Sequence, residues 1–274
     1  HLNLVFSGHG KHLDCPTLRL TNHHGLMIAG EAALSNWDAG MDMYIYGKLG
    51  NLTMTKEGIN VLMTNLTGKV PPILQRLDYI RFNGEAAGYL HDLTLTGLFH
   101  TGAGMVKTDV MMSIDEQSMS RTYSGSVASA DLDLGKLLNQ EKKFGKVDFN
   151  VELKGFNYKN RYPESYIKGI ISSFEYSQYQ YENIMLDGVY KDGGFNGRLS
   201  MDDANGSVQI DGNFNVAKTI PDFNLKASVK NLRPHDLHLS DKYENASISL
   251  GLTADFTGKS IDDMNGRISL DSCN

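Results

Sequence analysis

The segment HGKHLDC places His9, His12, Asp14 and Cys15 within seven residues, and imidazole, carboxylate and thiolate are the donors zinc takes. A zinc site needs three or four of them converging at about 2 Å. The second pair that would close such a site is absent at any standard spacing, and His235 and His238 in PHDLH do not supply it. The histidines therefore read as structural or surface groups. No metal and no cofactor is expected.

Hydrolytic chemistry needs a nucleophile beside a base, or two opposed carboxylates. Ser-Gly-Ser at 124–126 lacks the strand–turn–helix context of a nucleophile elbow. Asp202-Asp203 and Asp262-Asp263 are adjacent carboxylates, but each pair precedes a glycine in a turn-like sequence. A short carboxylate caps such turns by accepting nearby backbone N–H bonds. The glycines form neither a dinucleotide fingerprint nor a P-loop. The chain is not expected to be an enzyme.

The stretch SSFEYSQYQYENI (172–184) holds several rings. Aromatics are favoured in strands, and they can also form a platform for sugars. A surface β-protein that binds glycan or protein through this tyrosine-rich face is the alternative function. Four N-x-[ST] tripeptides, at Asn51, Asn65, Asn205 and Asn245, are what a chain rich in Asn, Ser and Thr produces by chance.

The elements that would carry these residues are set by composition and periodicity. With 274 residues, 41% of them hydrophobic, the chain can bury a substantial core. A net charge of -6 with scattered basic residues argues against a nucleic-acid partner. No run of about 18 apolar residues marks a membrane-spanning helix. Both ends, HLNLVF and RISLDSCN, break off in strand-like sequence, so a fragment of a longer protein is expected. Cys15 and Cys273 leave a disulfide and two free thiols equally open.

Apolar residues fall on every second position again and again, as they do on one face of a strand. Ile248, Leu250, Leu252, Ala254 and Phe256 alternate with Ser, Gly, Thr and Asp. Val147, Phe149, Val151 and Leu153 repeat the pattern, as do Leu199 with Met201, Val208 with Ile210, and Phe223 through Val229. Nearer the start it recurs at Leu2, Leu4 and Phe6, at Leu18 and Leu20, and at Met41, Met43 and Ile45. Turns are expected at Asp192-Gly193-Gly194, Ala204-Asn205-Gly206 and Asp211-Gly212-Asn213. Strands so spaced read as an antiparallel meander. Helices are expected only as connectors, at 71–77 and 133–143.

A loose repeat runs through the chain. VASADLDLGKLL (127–138) is similar to ASVKNLRPHDLHL (227–239), with NVLMTNLTGKVPPIL (60–74) a weaker third copy. The strand pair ending in TGKSIDDMNGRISL, preceded by VKNLRPHDLHL, resembles the AsmA/TamB family of periplasmic assembly and lipid-transfer proteins, in the style of TamB-type proteins of Bacteroidetes. The likeness covers residues 126–274 best, as a β repeat region expected to continue a weaker-matching meander over 1–125.

The alternation leaves open what meets its apolar face: a second sheet, the same sheet curled on itself, or a ligand. The resemblance implies the fold and the answer. It implies an all-β, elongated, curved antiparallel meander forming a trough, whose apolar interior shelters phospholipid or other acyl chains. The implied groove residues are Val147, Phe149, Val151, Leu153, Leu199, Met201, Val208, Ile210, Ile248, Leu250, Leu252 and Phe256. It further implies an outer-membrane barrel partner of BamA type. It implies a periplasmic location with an inner-membrane anchor outside this sequence, through which any membrane contact is made.

Overall fold

In the computed structural model, the described residues are 2–115, 117–118, 120–157, 164–215, 218–242, 244–259 and 263–273. Strand is their dominant element. The chain divides into two compact units, residues 1–142 and 143–274.

The first unit holds β1 (Leu2–His9), β2 (His12–Thr21), β3 (Leu26–Ser35), β4 (Tyr44–Thr55), β5 (Tyr79–Tyr89), β6 (Asp92–Thr101), β7 (Gly104–Asp115) and β8 (Ser120–Asp133). Its helices are α1 (Lys56–Thr67), α2 (Pro72–Gln75) and α3 (Leu134–Leu138). The second unit holds β9 (Phe144–Asn157), β10 (Glu164–Tyr176), β11 (Tyr179–Lys191), β12 (Gly194–Asp203), β13 (Gly206–Asn215), β14 (Asp222–Leu232), β15 (Ile248–Thr257) and β16 (Asn265–Cys273). All sixteen strands follow chain order in one unclosed sheet. Within each unit every neighbouring pair is antiparallel. The all-β antiparallel meander read from the alternation is the fold.

Register is locked by both faces at once. On the polar face of the second unit Glu152, Lys168, Asp187, Arg198, Asp211 and Lys226 stand directly opposite one another on successive strands. Charge therefore alternates across six strands, the favourable cross-strand pairing. Arg198 Nε donates to Asp211 at 2.7 Å, and Lys168 lies 3.5 Å from Asp187. The first unit has a shorter version in Glu31, Lys48 and Glu85. A one-residue slip would break each ladder and turn the aliphatic side chains to water.

Several local expectations are corrected. Asp211-Gly212-Asn213 is not a turn but the middle of β13, where Gly212 stands opposite Gly197 and Leu225. Gly212 has φ +144, and a Cβ there would come within 2.6 Å of the Leu225 Cα; only glycine fits. Met41 belongs to a 3₁₀ turn (Gly40–Asp42), and the strand begins at Tyr44. The alternation Leu2, Leu4, Phe6 is broken by a register shift between Val5 and Ser7, and Leu4, Val5 and Phe6 are all exposed. The two expected helices are present but short, at Pro72–Gln75 and Leu134–Leu138.

The weaker third copy, residues 60–74, falls in α1, α2 and the short link between them, whereas the other two copies begin in strands. The longest helix, α1, was therefore unforeseen. Its signals are at its ends: the Thr55 hydroxyl accepts from Gly58 N–H, and Gly68 closes the helix at φ +73. The other two copies of the repeat correspond in geometry. Asp131 and Asn231, one hundred positions apart, both adopt positive φ (52° and 50°) near the end of their strands. Each is followed by a leucine and then by a connector.

In the first unit that connector edge is the packed part. Ile59, Leu77, Ile80 and Ala103 are buried together, with Met54, Met63, Val70, Leu74, Phe99 and Leu137 against them. Lys136 joins the edge by donating to Asp78 at 2.6 Å and to the Gly102 carbonyl at 2.9 Å. That hydrogen bond holds the Asp78 carboxyl below its usual range. Arg76 Nη1 also donates to the Leu137 carbonyl.

Candidate functional site

The residues that could have supported metal or catalytic chemistry are dispersed or occupied. His12 hydrogen-bonds to Ser35 at 2.6 Å and Asp14 at 2.9 Å, while Cys15 donates to the Thr17 carbonyl. Among the described residues no three His, Cys, Asp or Glu side chains are grouped to hold a metal ion. Asp203 caps the β12–β13 turn, accepting from Asn205 N–H at 2.9 Å. Asp262 and the side chain of Cys273 lie outside the described residues.

The tyrosine-rich stretch forms a packed cluster. Tyr181 is buried, and its hydroxyl donates to the Leu237 carbonyl at 2.7 Å. Phe174 and Tyr176 lie against it with ring centroids 6.4 and 6.5 Å away, and Phe144 packs on those two at 6.2 and 5.5 Å. Tyr179 donates to Asp203 at 2.5 Å and meets His238 edge-on. Burial and that carboxylate partner push the Tyr179 hydroxyl up to about 12.

The twelve residues named as groove lining come to one face of the second unit. Directly opposed residues of antiparallel strands share a face, so pairing can be followed from strand to strand. One row runs Phe149, Ile171, Ile184, Met201, Val208, Val229, Leu250. The next runs Val151, Gly169, Leu186, Leu199, Ile210, Ala227, Leu252 and on to Leu270 of β16. A third runs Leu153, Ile167, Gly188, Gly197, Gly212, Leu225, Ala254 and Ile268. No side chain in these three rows carries a nitrogen or oxygen. Val147 stands opposite Phe174 at the connector end, and Ile248 lies opposite Leu232 beyond a bulge. Phe256 belongs to a fourth, aromatic row with Tyr190, Phe195, Phe214 and Phe223.

This face is not sealed. Of the twelve, only Val147 is buried, and the others are half-buried. Four clefts lined by described residues, of about 320 to 760 Å³, are formed mainly by polar-face and edge residues rather than by the aliphatic rows. The aliphatic face is thus an open surface rather than a pocket.

Sequence reading missed the contributions of β10 and β11, namely Ile167, Ile171, Ile184 and Leu186. Their alternation is masked because Ile170 and Met185 put apolar side chains on the opposite face, each about half exposed. The runs GIIS and IML consequently look continuous. Of the aromatic row, Phe256 was named as lining and Phe223 as part of an alternation, but the row itself was missed, since its members are distant in sequence and meet only by pairing.

Comparisons with protein-family models, with curated proteins and with solved structures return no match to this chain.

Proposed function

We propose that this chain is a non-enzymatic section of a periplasmic lipid-transfer or outer-membrane assembly protein of AsmA/TamB type, in which the aliphatic sheet face shelters acyl chains. The observation that carries this reading is the three adjoining rows without a polar side-chain atom, most of their side chains left partly exposed across seven strands. An apolar surface of that extent demands a cover. Hydrocarbon suits it, because each methylene moved from water onto such a lining contributes about 0.8 kcal/mol.

The mechanism is passive. Without polar anchors no position along a row holds a tail much better than the next, so a tail can slide from strand to strand. The charge ladder on the opposite face keeps that side in water. The partner on this reading is an outer-membrane barrel of BamA type, and the location is the periplasm, with the anchor supplied by sequence outside these residues.

Native mass spectrometry and solvent extraction of the purified chain test the reading. Co-purified phospholipid, lost in the double variant Leu199→Asp/Ile210→Asp, is the expected result. A chain that carries no lipid and takes up none from phosphatidylethanolamine–phosphatidylglycerol vesicles would overturn it.

A further inference from the structure

The polar face of the second unit carries an apolar pair in an otherwise polar row. That row runs Asn150, Ile170, Met185, Ser200, Gln209 and Ser228 across β9–β14. Ile170 and Met185 stand directly opposite each other on β10 and β11, 50% and 52% exposed. The charge ladder is the next row along the strands. A cleft of about 470 Å³ is lined by this pair and, from the ladder, by Glu152, Lys168, Asp187 and Arg198. Single exposed apolar side chains are ordinary. An apolar centre beside a polar rim, set in a cleft, has the anatomy of a protein-binding patch.

The ladder identifies the occupant. Its charges alternate in sign from strand to strand, through Glu152, Lys168, Asp187, Arg198, Asp211 and Lys226. Such a row is its own complement once its order is reversed. A half-turn about an axis parallel to the strands, midway between β10 and β11, reverses it. Glu152 then faces Arg198 of the second copy, and Lys168 faces Asp187 of the second copy. Both contacts recur on the other side of the axis. The same turn seats Ile170 against Met185 of the second copy. A half-turn about an axis along the row would instead set each charge against its own counterpart, like against like. Charge complementarity fixes register and rejects that alternative. Each copy offers the same surface, as a two-fold dimer requires.

We infer that two copies of this chain associate through this polar patch, with Ile170 and Met185 interlocked at the two-fold axis and the ladders in reversed register beside them. Sheets packed face to face lie about 10 Å apart, a gap that methionine, lysine, arginine and glutamate side chains from both copies fill. Four strands give a contact about 19 Å wide at the usual strand spacing. A contact of that size belongs to the weak, reversible class. The aliphatic rows lie on the other face of the sheet, so the inference stands apart from the lipid reading.

Sedimentation velocity of the purified chain under reducing conditions, over about 1–200 µM, tests it. A monomer–dimer equilibrium is expected, weaker at high salt because exposed charges are screened. Ile170→Arg and Met185→Arg, each at a position already half in water, should raise the dissociation constant at least about tenfold with an unchanged circular dichroism spectrum. Glu152→Lys and Arg198→Glu should each be monomeric, because both ends of the contact then meet like against like. Mixed in equal amounts, these two variants should regain the dimer, since the mixed pair has opposite charges at both ends. A natural chain that stays monomeric throughout overturns the inference. So does a dimer that survives both arginine substitutions, or one lost instead in Leu199→Asp/Ile210→Asp, which would put the joint on the aliphatic face. Mixing that restores nothing overturns the reversed register and the inference with it.

Discussion

The Tyr181 hydroxyl, on a strand of the sheet, donates a 2.7 Å hydrogen bond to the carbonyl of Leu237, fifty-six residues away in a connector. The same leucine is wholly buried. One contact thus ties the connector to the sheet and closes one end of its aliphatic face.

Tyr181→Phe keeps the ring and removes the donor, leaving the Leu237 carbonyl without that partner. An unpaired buried carbonyl costs about 1–3 kcal/mol, which urea unfolding would show as a lower midpoint. Leu237→Ala is expected to cost about 2–5 kcal/mol, as large-to-small changes at sealed positions do. Leu250→Ala, at a partly exposed position in the rows, should cost less than Leu237→Ala, since part of its surface is already in water. Equal losses at Leu237 and Leu250 would mean that the aliphatic face is as sealed as the connector.

Face specificity is testable with paired substitutions on adjacent positions. Leu199→Asp and Ile210→Asp put a carboxylate into the rows, whereas Ser200→Asp and Gln209→Asp put it on the polar side. The first two should abolish lipid recovered by extraction, and the second two should leave it unchanged, with circular dichroism reporting the strand content of all four.

The charge ladder has a pH signature. The Tyr166 hydroxyl, and secondarily Lys168, hold the Asp187 carboxyl below its ordinary value. The Gln209 amide and the Arg198 guanidinium do the same for Asp211. An unfolded aspartate titrates near about 3.9. A depressed folded value means that the stabilisation is complete above that pH and is lost as pH falls through the folded value. The difference in Tm between the natural chain and Asp211→Asn should therefore be constant from about pH 5 to 8 and shrink below about pH 4. A difference that widens on acidification would contradict the pairing.

Two glycines in strands should answer differently to alanine. Gly212, at φ +144 with the Leu225 backbone 2.6 Å from where alanine's Cβ would sit, is expected to lose more than about 1 kcal/mol on substitution. Gly47 has open space around the same position, and alanine there should be neutral or stabilising by about 0.4–1 kcal/mol. Thermal unfolding of the two variants makes the comparison.

Much of the fold could be read from the sequence because strand faces are written locally. Val147, Phe149, Val151 and Leu153 announce one strand, and Ile248 through Phe256 another, with no knowledge of any neighbour. The type I′-like turn at Asp192-Gly193, where both residues have positive φ, was equally legible. The reading failed where a residue's meaning depends on what lies across from it. Gly212 has the chemistry of a turn residue, yet sits in a strand because Gly197 and Leu225 approach it closely. Helix α1, rich in Asn and Thr, is held by its two end residues and by the burial of Ile59 rather than by its own propensity.

Periodicity of two by itself determined that this chain is a meander of strands with one aliphatic and one polar face, since side-chain direction along a strand is a property of the backbone alone. Only the tertiary structure decided which strands align into rows, that β10 and β11 belong to them despite Ile170 and Met185, and that Leu237 shuts one end while rings border the other. Those outcomes depend on register and on a connector folding back over the sheet, and both are set by contacts between residues far apart in the chain.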